Sequence, residues 1–204
     1  MLTLYYLPGA CSLVPQVALE WANADYQAVE VPRDRIKSPE FLALNPIGSV
    51  PVLQEGDWAL SQNIAILEYI NELYPQALVL GSGSARNRAQ ARKWLAFMNA
   101  ELHPAFAPLF APQRFVDGEE EQAKLRAVAA GRVTMLYAYP HEVLSKQPFL
   151  VGEKTIADVY LYVTLRWAKA LGLDLSLYPA FTDFYLHMEF DEGVQNALSK
   201  QGLF

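Results

Sequence analysis

Cys11 is the only cysteine of the 204-residue chain, and it lies where a thiol can do chemistry. It follows a short apolar run, Leu2 to Leu7, stopped by Pro8-Gly9, and precedes a stretch that begins at Ser12 with Pro15 in its first turn. A thiol between a strand and a helix start faces free backbone N–H groups and the positive helix end, both of which favour the thiolate. The plain alternative is a small buried hydrophobe. Ser12 has the same two readings: a donor to a bound thiolate, or the helix cap.

Other positions carry ligand chemistry rather than reaction chemistry. Val50-Pro51 opens a strand, where a proline costs no ladder bond. A cis bond there would turn the Val50 backbone N–H and C=O toward a peptide-like ligand. Gln62-Asn63 starts a helix after Ser61, a place that attracts carboxylates, although polar capping gives the same pattern. His103 sits on a long helix with Asn99 one turn earlier on the same face; a lone helical histidine is also an ordinary structural hydrogen-bonder. His141 and His187 have no partner pattern. No Cys, His and carboxylate spacing fits a metal, and no phosphate-cradling glycine loop occurs.

The elements that would position these residues follow from punctuation and period. Leu2–Leu7 reads as a strand and the stretch after Ser12 as a helix with Val14, Val17, Ala18, Trp21 and Ala22 on its apolar face. Gln27–Val31 is a second strand, parallel to the first through a right-handed crossover. Ser38-Pro39-Glu40 caps a helix that ends before Asn45-Pro46. Val50–Gln54, a turn at Glu55-Gly56-Asp57, and Trp58–Leu60 form a hairpin. Ser61 is expected to cap a further helix that Pro75 ends. The order is βαβαββα.

Beyond Gly81-Ser82-Gly83-Ser84 the pattern is helical. Helices are expected over Arg86 to about Leu109, Glu119–Leu144, Ile156–Leu171, Phe181–Phe190 and Gly193–Lys200. The third of these is so apolar that it should be buried at the centre. Thr155-Ile156-Ala157-Asp158 has the form of a capping box for it. The domains expected are an α/β domain over 1–78, a linker over 79–85, and an all-helical domain over 86–204.

Composition narrows the class. Hydrophobic residues are 52% of the chain and net charge is −6, with scattered Lys and Arg. That supplies a large core and argues against a nucleic-acid partner. No apolar run reaches the roughly 20 residues of a membrane span, and one cysteine forms no internal disulfide. The expectation is a cytoplasmic protein with no membrane partner.

Taken in order, these pieces resemble the cytosolic glutathione transferases. Tyr6-Leu7-Pro8-Gly9-Ala10-Cys11-Ser12-Leu13 is similar to the start of the bacterial beta class. So are Trp94-Leu95, Glu101-Leu102-His103, Pro108-Leu109-Phe110 and the run from Ile156-Ala157-Asp158 to Leu165-Arg166-Trp167-Ala168. The resemblance implies a thioredoxin-like domain followed by a helical domain, a homodimer, and conjugation of glutathione to small hydrophobic electrophiles in detoxification. Glutathione is then a co-substrate, with no tightly bound cofactor.

Carried over by position, Cys11, Ser12 and His103 would stand at the glutathione sulfur. Val50, with Ser49 and Pro51, would meet the cysteinyl backbone, and Gln62 and Asn63 the γ-glutamyl carboxylate. Tyr6, Ala10, Asn99 and Glu101 would complete the glutathione site, with Arg35 (or Arg33) on the glycyl carboxylate. Phe106, Phe110 and Trp167 would line the electrophile cleft. The chain departs from the beta-class pattern at Gln62, Asn63, Ala96 and Pro104. Two other activities fit the same residues: glutathione-dependent thiol–disulfide exchange through Cys11, and non-catalytic ligand or partner binding.

Overall fold

The structure, a computed structural model, describes residues 1–203 and divides into two compact units. One comprises Met1–Ser82 together with the chain from Met188 onward; the other is Gly83–His187.

The first unit is built on a four-stranded mixed sheet in the order β2-β1-β3-β4. β1 (Leu2–Tyr6) pairs in parallel with β2 (Tyr26–Glu30), and antiparallel with β3 (Val52–Glu55), which forms a hairpin with β4 (Trp58–Ser61). Residues of β1 alternate in burial. Leu2, Leu4 and Tyr6 are buried, whereas Tyr5 packs edge-on against Phe41 among Val31, Val52 and Ile36. That second face is covered by α2 (Pro39–Leu44), whose Ser38 cap accepts from the Phe41 N–H and whose proline stands in the first turn, as the sequence requires. α1 (Leu13–Trp21) and α3 (Asn63–Leu73) pack against each other.

Two caps differ from expectation. Ser12 does not cap α1: its own backbone is already helical and its hydroxyl is engaged elsewhere. Ser61 belongs to β4, and the residue that precedes α3 is Gln62, held at φ 76°.

The second unit is helical: α4 (Ala85–Phe97), α5 (His103–Ala105), α6 (Ala107–Phe110), α7 (Glu119–Leu144), α8 (Ile156–Ala170) and the greater part of α9 (Ala180–Glu189). α8 is buried over nearly its whole length. Its box forms, with Asp158 accepting from the Thr155 N–H at 2.8 Å, the Thr155 hydroxyl at 3.0 Å and the Leu150 N–H at 2.8 Å. The single helix expected over 86–109 is interrupted. Between α4 and α5 the chain is π-helical over Met98–Leu102, and the His103 N–H reaches back to the Met98 carbonyl. Pro104 explains this: it has no N–H to donate, and its ring would meet the carbonyl four residues back in a regular helix.

The domain expected over 86–204 is also divided differently. α10 (Glu192–Lys200) groups with the first unit, where it packs on α1. Among the described residues no helix is long and apolar enough to cross a membrane.

Candidate active site

In the first unit the turn that carries Cys11 is tied from several directions. Leu7-Pro8-Gly9-Ala10 is closed by the Ala10 N–H donating to the Leu7 carbonyl at 3.0 Å, with Gly9 at φ 71°. A proline followed by a residue at positive φ is the pattern of a type II turn, which is why glycine stands there. Ser12 is fully buried, and its hydroxyl donates to the Leu7 carbonyl and accepts from the Leu7 N–H, both at 3.2 Å. The serine expected to face a thiolate therefore braces the turn instead. Asn63 is buried at the start of α3, and its amide donates to the Cys11 carbonyl at 3.2 Å. The Cys11 thiol donates to the Val50 carbonyl at 3.6 Å, next to the cis Val50-Pro51 bond.

The electrostatics of the thiol run opposite to the sequence reading. Burial pushes the Cys11 thiol up to about 12, outweighing the Asn63 side chain and the backbone N–H groups of Cys11 and Ser12, which pull it down. The helix start is where it was expected; desolvation of the sulfur is the larger effect. Cys11 is held as a neutral donor.

The remaining first-unit positions separate by exposure. Gln62 is exposed beside buried Asn63, so only the first of this pair presents its side chain openly. Ser49 is fixed by Asn45, whose amide donates to the Ser49 carbonyl at 2.8 Å and hydroxyl at 3.3 Å. Ala10 is half-buried and Arg35 exposed. Tyr6 is buried, its hydroxyl donating to the Lys200 carbonyl at 3.4 Å.

In the second unit His103 belongs to an aromatic layer. Its ring centroid lies 4.8 Å from that of Trp167, and Phe106 and Phe110 each lie 5.4 Å from Trp167. Phe106 is fully buried and Trp167 nearly so, whereas Phe110 is 50% exposed. Of the three aromatics expected to line a ligand cleft, Phe106 is thus a packing residue. His103 Nδ1 lies 2.8 Å from the Tyr160 hydroxyl, which donates to Asn99 Oδ1 at 3.3 Å. Burial lowers the imidazole to about 4, so it is neutral at pH 7. Glu101 points away from this group, pairing with Arg132 at 3.2 Å on the exposed surface.

Both units correspond to known sequence families. The model for the glutathione S-transferase N-terminal domain matches residues 1–72, and that for the glutathione S-transferase C-terminal domain matches residues 97–190. The chain belongs to the glutathione S-transferase family. A curated relative, glutathione S-transferase GST-4.5 of Xanthomonas campestris, is 41% identical over 98% of this chain and 98% of its own. Among solved structures, glutathione S-transferase from Xylella fastidiosa matches with a TM-score of 0.95 at 40% identity, over all of both chains. A Sulfitobacter glutathione transferase homolog with bound glutathione has a TM-score of 0.89 at 28% identity, covering 100% of this chain and 99% of the other. The bacterial beta class glutathione S-transferase of Sphingomonas chungbukensis has a TM-score of 0.86 at 32% identity, over 99% of this chain and all of its own.

Within this glutathione S-transferase fold, the first unit brings Cys11, Val50 and Asn63 together, and the second brings His103, Asn99 and Trp167 together. Two participants escaped sequence reading. Tyr160, the bridge between His103 and Asn99, looks in sequence like one more apolar residue of α8. Asn45, which fixes Ser49, looks like a helix terminator. Among the described residues no three His, Cys, Asp or Glu side chains converge as metal ligands would.

Proposed function

We propose that the chain conjugates glutathione, through its sulfur, to small hydrophobic electrophiles. The observation that carries this reading is the Cys11 turn. A thiol kept protonated before the start of α1 rests its S–H on the Val50 carbonyl. When a peptide backbone takes that carbonyl, the S–H turns to the ligand's sulfur as a donor rather than attacking it.

Glutathione lies extended along Val50, with Ser49 and Pro51 shaping that edge and Tyr6 and Ala10 flooring it. Its γ-glutamyl carboxylate meets Gln62 and the first turn of α3, with Asn63 holding the turn in place; Arg35 takes the glycyl carboxylate. Its thiol ionises under the Cys11 S–H and the backbone N–H groups of Cys11 and Ser12, just before α1. His103 assists. With the Tyr160 proton directed to Asn99, Nδ1 carries the imidazole proton and the neutral Nε2 accepts a hydrogen bond from the glutathione thiol, whose proton leaves to solvent because the buried ring is too weak a base to keep it. The thiolate then forms a C–S bond to the electrophile, whose leaving group departs with its electron pair. Phe110, half-exposed and stacked on buried Phe106 beside Trp167, supplies the apolar contact, while Glu101 serves the helix surface through Arg132.

A homodimer accompanies this reading. Each unit exposes large apolar side chains, Trp58, Leu73 and Leu78 in one and Val128, Met135 and Tyr139 in the other, which a second copy would cover. Sedimentation across a concentration series tests it: a single chain at all concentrations refutes the dimer.

Activity is tested by following conjugation of glutathione to chlorodinitrobenzene in wild type and Cys11→Ala, with disulfide exchange measured in parallel. Saturable conjugation that survives in Cys11→Ala, lowered about tenfold as for one lost hydrogen bond, supports the donor role. Exchange without conjugation, abolished by Cys11→Ala, assigns thiol–disulfide chemistry instead. No glutathione binding by a folded protein assigns a non-catalytic role.

A further inference from the structure

The Cys11 turn is held from one further side, by the last helix of the chain. The Gly9 N–H, at the centre of the turn, donates to Gln201 Oε1 at 3.0 Å, across 192 positions of sequence. Gln201 Nε2 in turn donates to Gln16 Oε1 on α1 at 2.6 Å. Both glutamines are buried, Gln16 completely and Gln201 at 7% exposure. The orientation is dictated: an N–H can only donate, so Gln201 must present its oxygen to Gly9 and its NH2 to Gln16.

Gln201 is not placed by chance. It is the C-cap of α10, and the residues after it close a Schellman motif. The Gly202 N–H donates to Ser199 at 3.0 Å with Gly202 at φ 65°, and the Leu203 N–H donates to Leu198 at 3.0 Å. The register of α10 on α1 is pinned at both ends. At its start Asp191 accepts from the Val194 N–H and from Trp21 Nε1, both at 2.9 Å. Gly193 lies so close that a Cβ there would stand 2.4 Å from Trp21 Cδ1. At its end Lys200 pairs with Glu20 at 2.5 Å and its carbonyl accepts from Tyr6. Every one of these contacts lies within the first unit, so the C-terminal helix acts as a strap over the turn.

We propose that Gln201 is a positioning residue for the glutathione sulfur site, setting the Gly9–Cys11 backbone through the Gly9 N–H with Gln16 as its brace. The catalytic part rests on the glutathione reading given above; the positioning part does not. Removing the Gln201 oxygen takes from the Gly9 N–H the acceptor that ties the turn to the last helix, and the turn loosens.

One cysteine in the chain makes the test clean, because thiol labelling reads Cys11 alone. The rate of alkylation by iodoacetamide without glutathione, and KM and kcat with glutathione and chlorodinitrobenzene, are compared in wild type, Gln201→Leu, Gln201→Glu, Gln16→Leu and Val194→Ala. Gln201→Leu is expected to label about tenfold faster and to raise KM for glutathione about tenfold, with kcat within about twofold, the scale of one lost hydrogen bond. Gln201→Glu keeps the acceptor and restores both to within about threefold. Gln16→Leu, which frees the brace, gives an intermediate increase of about threefold in labelling. Val194→Ala hollows the same helix under a residue with no part in the turn; it lowers the melting temperature and leaves labelling at the wild-type rate.

Labelling of Gln201→Leu and Gln16→Leu at the wild-type rate overturns the proposal. So does equal acceleration in Val194→Ala, which would make docking of the helix, and not Gln201, the cause. Should wild type show no conjugation, the labelling series still decides the positioning, and the glutathione reading fails by itself.

Discussion

The Cys11 turn and the His103 layer reach one electrostatic end by opposite construction. Cys11 is fixed by backbone-directed hydrogen bonds from Ser12, Asn63 and Gln201, with its thiol on the Val50 carbonyl. His103 is fixed by rings, with the Tyr160 hydroxyl as its hydrogen-bond partner. Burial then keeps both groups neutral at pH 7, the thiol raised to about 12 and the imidazole lowered to about 4. A hydrogen-bonded turn holds atoms at defined distances and fails when a donor or acceptor is removed; an aromatic layer fails when volume is removed.

That contrast gives its largest expected effect in the layer. Phe106→Ala should cost about 3–5 kcal/mol in urea unfolding, because a fully enclosed ring leaves a cavity. Phe110→Ala, at 50% exposure, should cost under about 1 kcal/mol, and its effect should fall on KM for the electrophile. Equal costs would mean that the two rings share one environment.

Next come the pH limbs. An exposed thiol titrates near 8.5 and Cys11 at about 12 when folded, so the unfolded chain loses its proton first. The Cys11 contribution to stability is intact below about pH 8.5 and is lost as pH rises toward 12, at up to about 1.4 kcal/mol per pH unit. His103 has the reverse sign. Exposed imidazole titrates near 6.5 against about 4 here, so its contribution is intact above about pH 6.5 and is lost as pH falls toward 4. Unfolding midpoints across pH should flatten on the alkaline side in Cys11→Ala and on the acid side in His103→Phe. A variant that flattens neither limb would show that its group is not desolvated.

Tyr160→Phe follows. It removes the hydroxyl between His103 and Asn99 and leaves the ring, so stability should fall by about 1–1.5 kcal/mol while conjugation falls about tenfold. The smallest effect is expected from Arg132→Ala, which breaks an exposed pair with Glu101 and should change stability by under about 0.5 kcal/mol.

The parts of this molecule legible in sequence are those written in short range. Pro8-Gly9, Ser38-Pro39 and Thr155–Asp158 mark their turn, cap and box because each acts on neighbours within a few residues. The strand and helix order follows; that Cys11 and Val50 share one site came only with the family resemblance. What could not be read depends on distant chain. Ser12 looked like a cap because nothing local shows that Leu7 claims its hydroxyl. Ser61 looked like one too, since the positive φ at Gln62 follows from how β4 enters α3. The thiol looked activated because the helix start is local and the burial that outweighs it is not. The same holds for Tyr160, 57 positions from His103, and for Gln201, 185 from Gln16.

The most direct test is the ultraviolet absorbance of thiolate in wild type, titrated from acid to alkaline pH with and without saturating glutathione. Cys11 held as a neutral donor predicts no thiolate signal below about pH 9 in the free protein, and a new signal near neutrality when glutathione binds. Ionisation of the free protein well below pH 8, or bound glutathione that titrates as it does in solution, would contradict the account.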